Sequence, residues 1–145
     1  MNTNLLDRMK LLFRKDKELY FQIYDILGFY PHNIELYQIA LAHRSKMYKN
    51  HSGRAVNNER LEYLGDAVLE TIVSDIVFKK FPRRREGFLT NVRSKVVQRS
   101  TLNLLAEKMG LSKLISLNTR PTTKRNNIGG NAFEAFIGAV YLDRG

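Results

Sequence analysis

Residues 57–81, NNERLEYLGDAVLETIVSDIVFKKF, decide how the rest of the chain is read. Apolar residues recur through them at helical spacing, which predicts one long helix over about 58–81. Pro82 ends it, because a proline ring and its missing N–H do not fit a helix interior. At 100° per residue, Glu59, Glu62 and Asp66 fall within about 60° of one another. Leu61, Leu64, Val68 and Ile72 fall on the opposite side, which predicts an apolar side on the core and a carboxylate stripe turned away from it. Past Asp66 the helix is apolar almost all round, through Val68, Leu69, Ile72, Val73, Ile76 and Val77, the pattern of a central, buried helix.

Three acids starting near an interior repel one another and lose hydration unless a cation neutralises them, and a divalent metal is the simplest remedy. The competing reading is a solvated acidic face, which is what most Glu-rich helix stripes are. Gly65 costs about 1 kcal/mol relative to Ala inside a helix, so another backbone is expected to pass close by. Glu70 lies on the same stripe about 6 Å beyond Asp66 along the axis. It reads as a solvent-facing or Lys-paired side chain.

Outward from this helix the period stays helical, strand-length alternation is hard to find, and the expected fold class is all-α. Further helices are expected over 5–13, over 19–27 closed by Gly28 and Pro31, and over 34–43 capped by Asn33. Others follow over 86–98, over 102–109 with Gly110 as C-cap, and over 131–143. Residues 46–58, rich in Asn, Ser, Gly and basic side chains, read as a surface loop, and 118–130 as a polar connection.

A chain of 145 residues fits one domain, expected to span 1–145. Its 43% apolar and 26% charged residues are those of a globular protein, not a disordered or membrane-embedded one. The 24 Lys and Arg against 14 Asp and Glu leave a formal charge of +10, which attracts polyanions and makes nucleic acid the leading partner. A merely basic surface is the other reading. With no cysteine there is neither a disulfide framework nor a thiolate zinc site, in keeping with a reducing compartment. The N-terminal apolar stretch is broken by Asp7, Arg8 and Lys10, and no run approaches the roughly 18 apolar residues of a spanning helix. A cytoplasmic protein without a membrane partner is expected.

Read in order, Asn58-Glu59-Arg60-Leu61-Glu62-Tyr63-Leu64-Gly65-Asp66-Ala67 resembles the NERLEFLGD motif of the ribonuclease III family with its following small residue. Leu41-Ala42-His43-Arg44-Ser45 resembles the family's LTHRS box. Arg85-Glu86-Gly87-Phe88-Leu89 resembles its EGxL turn, and Arg93-Ser94-Lys95-Val96-Val97 the basic-apolar segment after it. The run from Gly130 to Asp143, GNAFEAFIGAVYLD, is similar to the second acidic motif, GDxFEALIGAxYLD. These five boxes lie in family order between about Tyr37 and Gly145.

The resemblance implies a homodimeric, all-α endonuclease domain packed around its long central helix. The implied activity is magnesium-dependent hydrolysis of double-stranded RNA to 5′-phosphate and 3′-hydroxyl ends with short 3′ overhangs, in rRNA and mRNA processing. Mn2+ is expected to substitute for Mg2+, and no other small-molecule cofactor is implied. Oxygen-ligated magnesium activates water and stabilises the leaving oxygen without a titrating histidine. By the same resemblance Asp66 and Glu134 are catalytic, Glu62, Asp66, Asn131 and Glu134 hold metal, and Glu59 and Glu86 form an outer acidic group. Most members have Asp where Asn131 stands, but an amide carbonyl is still a magnesium ligand or water anchor. Natural variation and a disabling substitution both account for it.

Tyr63 resembles a side chain that docks into the partner subunit, with ordinary core packing as its other reading. His43 is expected to hold the third helix against the central one, while His32 and His51 read as solvated. Arg83, Arg84, Arg85, Arg93 and Lys95 would meet RNA phosphates, within a wider patch of Lys79, Lys80, Arg99, Arg120, Lys124 and Arg125; solvated charges are the alternative. Duplex RNA is read by shape, phosphates and 2′-hydroxyls, so binding should fall steeply with salt. The double-stranded RNA-binding domain usual after the YLD box is absent from this chain, which implies weaker RNA affinity. A non-catalytic binder of structured RNA and a basic helical scaffold are the rival readings.

Overall fold

The computed structural model describes residues 16–43, 48–116 and 128–145. The helix expected over 5–13, Arg44 and Ser45 of the LAHRS box, and Arg120, Lys124 and Arg125 lie outside the described residues. The chain divides between Ile34 and Glu35 into two compact units.

In the first unit, α1 (Lys17–Leu27) ends at Gly28, whose φ of 75° lets its N–H reach back to the Tyr24 carbonyl at 2.7 Å. That left-handed residue is the turn a C-terminal glycine allows. Tyr30 returns over the helix, stacked on Tyr24 at 4.4 Å between ring centres and meeting Phe21 edge-on at 6.2 Å.

Helix α2 (Ile34–Ala40) stops three residues short of the expected His43. Within the segment expected to be loop, β1 (Tyr48–Lys49) and β2 (Ala55–Val56) pair antiparallel, Tyr48 opposite Val56. Asn50 and Gly53 make this hairpin. The Asn50 side-chain oxygen accepts the Arg54 N–H at 2.8 Å, and Gly53, at a φ of 74°, donates to the Asn50 carbonyl at 2.8 Å. Two-residue strands are too short for alternation to register.

The hairpin is tied to α2. Tyr48 donates to the Gln38 side-chain oxygen at 2.7 Å, and the His51 N–H donates to Glu35 Oε1 at 2.9 Å. His51 Nδ1 lies 2.8 Å from Glu35 Oε2, so His51, though exposed, is not the bare solvated side chain its sequence context suggests. The His51 backbone hydrogen bond, and then its ring, hold the Glu35 carboxyl below the usual range.

The remaining elements are α3 (Glu59–Lys80), α4 (Glu86–Val96), α5 (Arg99–Lys108), α6 (Leu111–Ser116) and α7 (Ile128–Arg144). Apart from the hairpin, the described residues bear out the all-α expectation. Helix α7 begins three residues earlier than expected. Helix α6 was not expected, because six residues hold too little periodicity; it buries Leu111, Leu114 and Ile115. Gly110, with a φ of 78°, separates it from α5.

The long helix is central, but its buried line is not the expected one. Leu61, Gly65, Leu69, Val73 and Val77 are buried, while Ile72 is 46% and Ile76 54% exposed. A line of every fourth residue is a packing ridge that drifts around the axis: it starts at Leu61 on the expected apolar side and reaches the azimuth of the carboxylate stripe, farther along the helix, by Val73. The acids therefore border the packed ridge.

What selects this ridge is α7, which buries Ala132, Phe133, Ala135, Phe136, Gly138 and Ala139. A Cβ on Gly65 would overlap the Glu134 carbonyl oxygen, lying 2.6 Å from its carbon and 2.8 Å from Gly138 N. A Cβ on Gly138 would overlap the Leu61 carbonyl oxygen and stand 3.2 Å from Gly65 N. The close backbone expected at Gly65 is thus that of α7. Farther along, Phe136 packs edge-on against buried Tyr37 at 5.4 Å, and Tyr37 donates to Asp143 Oδ2 at 3.1 Å. Burial, then the Asp143 charge, makes the Tyr37 hydroxyl much harder to ionise than usual.

Helix α4 buries no residue. It is tied down by Phe88 edge-on to Phe81 at 5.2 Å and by Arg93, whose Nη1 donates to Ser74 Oγ at 3.1 Å.

Candidate active site

The glycine-on-glycine crossing sets the α7 backbone at Glu134 against the turn of α3 that carries Glu62 and Asp66. Glu62 and Asp66 flank Gly65 on α3, and the Glu134 backbone is the part of α7 that Gly65 touches. Glu134 is half-buried, and its carboxyl is pushed up to about 7, first by burial, then by the charges of Asp66 and Glu62, with Arg99 opposing. Asn131, one turn earlier on the same face, has a buried Oδ1 without a hydrogen-bond partner. A polar atom kept out of water and left unpaired is costly, and an ordered water or a cation would satisfy it.

The start of α3 is set by Asn58, which is 3% exposed. Its N–H donates to the Ala42 carbonyl at 3.1 Å, and its own carbonyl accepts the Glu62 N–H at 2.8 Å. The backbone of the LAHRS box, through Ala42, therefore places the first carboxylate. Glu59 is exposed and accepts from Asn57 Nδ2 at 3.0 Å; Glu86 is exposed and accepts from Thr90 Oγ1 at 2.7 Å. Neither is among the groups that raise Glu134.

Among the described residues, no three His, Asp or Glu side chains converge as a ready-made metal site. The donors nonetheless fit a hard divalent cation. Carboxylate and amide oxygens are the ligands magnesium takes, burial and then the charges of Asp66 and Glu62 disfavour ionisation of Glu134, and Asn131 Oδ1 lacks a partner.

Tyr63 is 83% exposed, which rules out core packing within this chain. Arg83, Arg84, Arg85 and Lys95 are exposed, with Arg84 4.8 Å over the Phe88 ring, whereas Arg93 is half-buried and committed to Ser74. Two residues escaped the sequence reading of the site. Arg99 had been placed in the phosphate-binding patch, yet its charge acts on Glu134. Asn103, one turn farther along α5, accepts the Gly130 N–H at 2.7 Å. Their i, i+4 spacing was the available signal.

The fold is that of a ribonuclease III nuclease domain: the structure of that domain from Campylobacter jejuni superposes with a TM-score of 0.71 at 32% identity, over 86% of this chain and 85% of that one. This chain belongs to the ribonuclease-III-like family, whose model matches residues 33–145. Ribonuclease 3 of Bacteroides thetaiotaomicron is 59% identical over all 145 residues, which make up 47% of its length. Dicer of Pichia stipitis matches with a TM-score of 0.59 at 31% identity, over 80% of this chain and 48% of that one. The chain spans about half the length of the ribonuclease 3 relatives it matches. Among the described residues, no helix is long and apolar enough to cross a membrane.

Proposed function

We infer that this chain is the catalytic part of a magnesium-dependent endoribonuclease that cuts double-stranded RNA as a homodimer. The observation that carries this reading is the grouping at the α3–α7 crossing: Glu134 with its carboxyl raised by Asp66 and Glu62, beside the unpartnered Asn131 Oδ1. Glu62, Asp66, Asn131 and Glu134 hold the cation. Bound magnesium, or manganese in its place, supplies a water activated near neutral pH and charge stabilisation for the leaving oxygen.

The chain's own residues do the rest. Asp66 and Glu62 provide fixed negative charge on a rigid helix. Glu134, its carboxyl raised to about 7, is partly protonated near neutrality, so its ionisation would be coupled to metal binding. Asn131 adds an oxygen without adding charge, so the cluster repels the RNA backbone less than it would with an aspartate there. Glu59 and Glu86 are the outer acidic group of this reading. Exposed Arg83, Arg84, Arg85 and Lys95 meet phosphates, an interaction weakened by salt.

The homodimer is supported by exposed apolar side chains on α3: Tyr63, Ile72 at 46%, Ile76 at 54% and Phe78 at 68% exposure. They do not share one face, but large apolar side chains left in water on a helix that also packs the core mark surface for a partner to cover. A twofold pair puts two clefts on one duplex, one per strand, giving 5′-phosphate and 3′-hydroxyl ends with short 3′ overhangs. Cytoplasmic processing of rRNA and mRNA precursors is the role we assign.

The test is incubation of duplex RNA with the protein at low salt, with and without Mg2+, beside a Glu134→Gln control. Magnesium-dependent cuts absent from the control support the reading; intact duplex under all conditions overturns it and leaves RNA binding without cleavage.

A further inference from the structure

Helix α7 opens on a weak turn. Its first N–H groups have no acceptor within the helix, and two of its first three residues are glycine, the poorest helix former after proline. The glycines are there because α5 passes close. A Cβ on Gly129 would lie 3.3 Å from Asn103 Oδ1 and 3.4 Å from Ala106 Cβ, and one on Gly130 would lie 3.2 Å from Asn103 Oδ1 and 3.6 Å from Leu102 Cβ.

Into this gap Asn103 reaches across 27 residues of sequence, and its Oδ1 accepts the Gly130 N–H at 2.7 Å. The next residue is Asn131, whose own Oδ1 is buried and unpartnered, and Glu134 follows at i+3 on the same face. Fraying of the opening turn would therefore displace Asn131 first and Glu134 next.

We propose that Asn103 is a positioning residue of the cleft: by accepting the Gly130 N–H it fixes the first turn of α7 and so presents the Asn131 side-chain oxygen to a divalent cation. This rests on the metal-dependent nuclease reading given above. Asn103 acts as an outer partner that orients a ligand, the kind of group whose loss costs about 10- to 100-fold in metal affinity.

The experiment compares the full chain with Asn103→Ala and Asn103→Asp. Mn2+ binding is measured without RNA by calorimetry and electron paramagnetic resonance, well below every melting temperature. Cleavage of a duplex is then followed as a function of Mg2+, with kcat and KM for RNA separated. Asn103→Ala is expected to weaken Mn2+ binding by about tenfold and to lower kcat at limiting Mg2+, with recovery at high Mg2+ and KM for RNA unchanged. Asn103→Asp keeps the acceptor for Gly130 and is expected to bind Mn2+ at least as well as the parent.

A merely structural role would lower the melting temperature without moving Mn2+ affinity or the Mg2+ dependence. If the parent binds Mn2+ and cuts RNA while Asn103→Ala binds Mn2+ equally well, the positioning role is overturned and the nuclease reading stands. A parent that neither binds Mn2+ nor cuts overturns both. Should Asn103→Ala fail to fold, Asn103→Ser, whose hydroxyl is too short to reach the Gly130 N–H, takes its place with the same two outcomes.

Discussion

Gly65→Ala is the most demanding test of the crossing. On an isolated helix this substitution stabilises by about 1 kcal/mol. Here the new methyl would overlap the Glu134 carbonyl oxygen and sit 2.6 Å from the carbonyl carbon and 2.8 Å from Gly138 N. All three are backbone atoms of a buried helix, so no side chain can swing aside, and α3 and α7 must separate. Overpacking of a well-filled core costs about 1–3 kcal/mol and occasionally more, and a backbone-on-backbone overlap belongs at the upper end. Subtracting the propensity gain leaves a net loss of about 2 kcal/mol. For a domain of this size that lowers the melting temperature by roughly 4–8 °C. Melting followed by circular dichroism reads it directly, with Gly87→Ala as the control: a Cβ there meets nothing within 4 Å, so that variant should melt at or slightly above the parent. Cleavage should fall further than stability alone explains, because the displaced backbone carries Glu134. A Gly65→Ala protein melting as high as the parent, with full cleavage, would refute the crossing as drawn.

Other perturbations address the charges and the exposed apolar side chains. The Glu134 carboxyl, raised from 4.5 to about 7 in the fold, holds its proton where the unfolded chain has already lost it. Without metal, stability therefore falls as pH rises from about 4.5 to about 7, and the penalty is fully present above that window. Glu134→Gln in EDTA should stabilise the fold at pH 8 by about 1–2 kcal/mol after allowance for solvent screening of a half-buried group, read as a higher melting temperature, and leave the melting temperature unchanged at pH 4. Equal shifts at both pH values would contradict this origin. For the parent alone, saturating Mg2+ at pH 8 should remove the penalty, read in the same melts. Tyr63→Ala combined with Phe78→Asp should convert a dimer into a monomer of unchanged helix content, measured by sedimentation; a parent that sediments as a monomer at micromolar concentration removes the basis for the paired clefts.

How much of this could be read from the sequence depends on whether a residue's meaning is local. Gly28 and Gly110 sit where a helix must stop, and both adopt the left-handed conformation their positions suggested. The long helix ends within a residue of its expected bounds because Pro82 and the acid-rich start are local signals. The hairpin and α6 were missed for the complementary reason: two-residue strands and a six-residue helix carry too few side chains for a period. Ile72 was assigned to the core because periodicity gives an angle around an axis, not the direction from which a neighbour arrives. That direction comes from α7, about 70 residues later in the chain, and Gly65 was its only local trace.

The same distinction explains why the site is only partly legible. Acids spaced along one helix announce a stripe, but their separation from Glu134 is set by two missing side chains, at Gly65 and Gly138, and the seating of Asn131 by two more, at Gly129 and Gly130, with Asn103 reaching into the gap. Each glycine removes the atom that would hold two backbones apart, so the closeness of the carboxylates is a packing property before it is an electrostatic one. Glu134 is half-buried because α3 and α7 touch, and that burial, more than the charge of Asp66 or Glu62, is the largest cause of its raised carboxyl. Substituting a glycine at either contact should therefore alter the acid's titration as well as the fold, whereas replacing a neighbouring carboxylate should alter the titration alone.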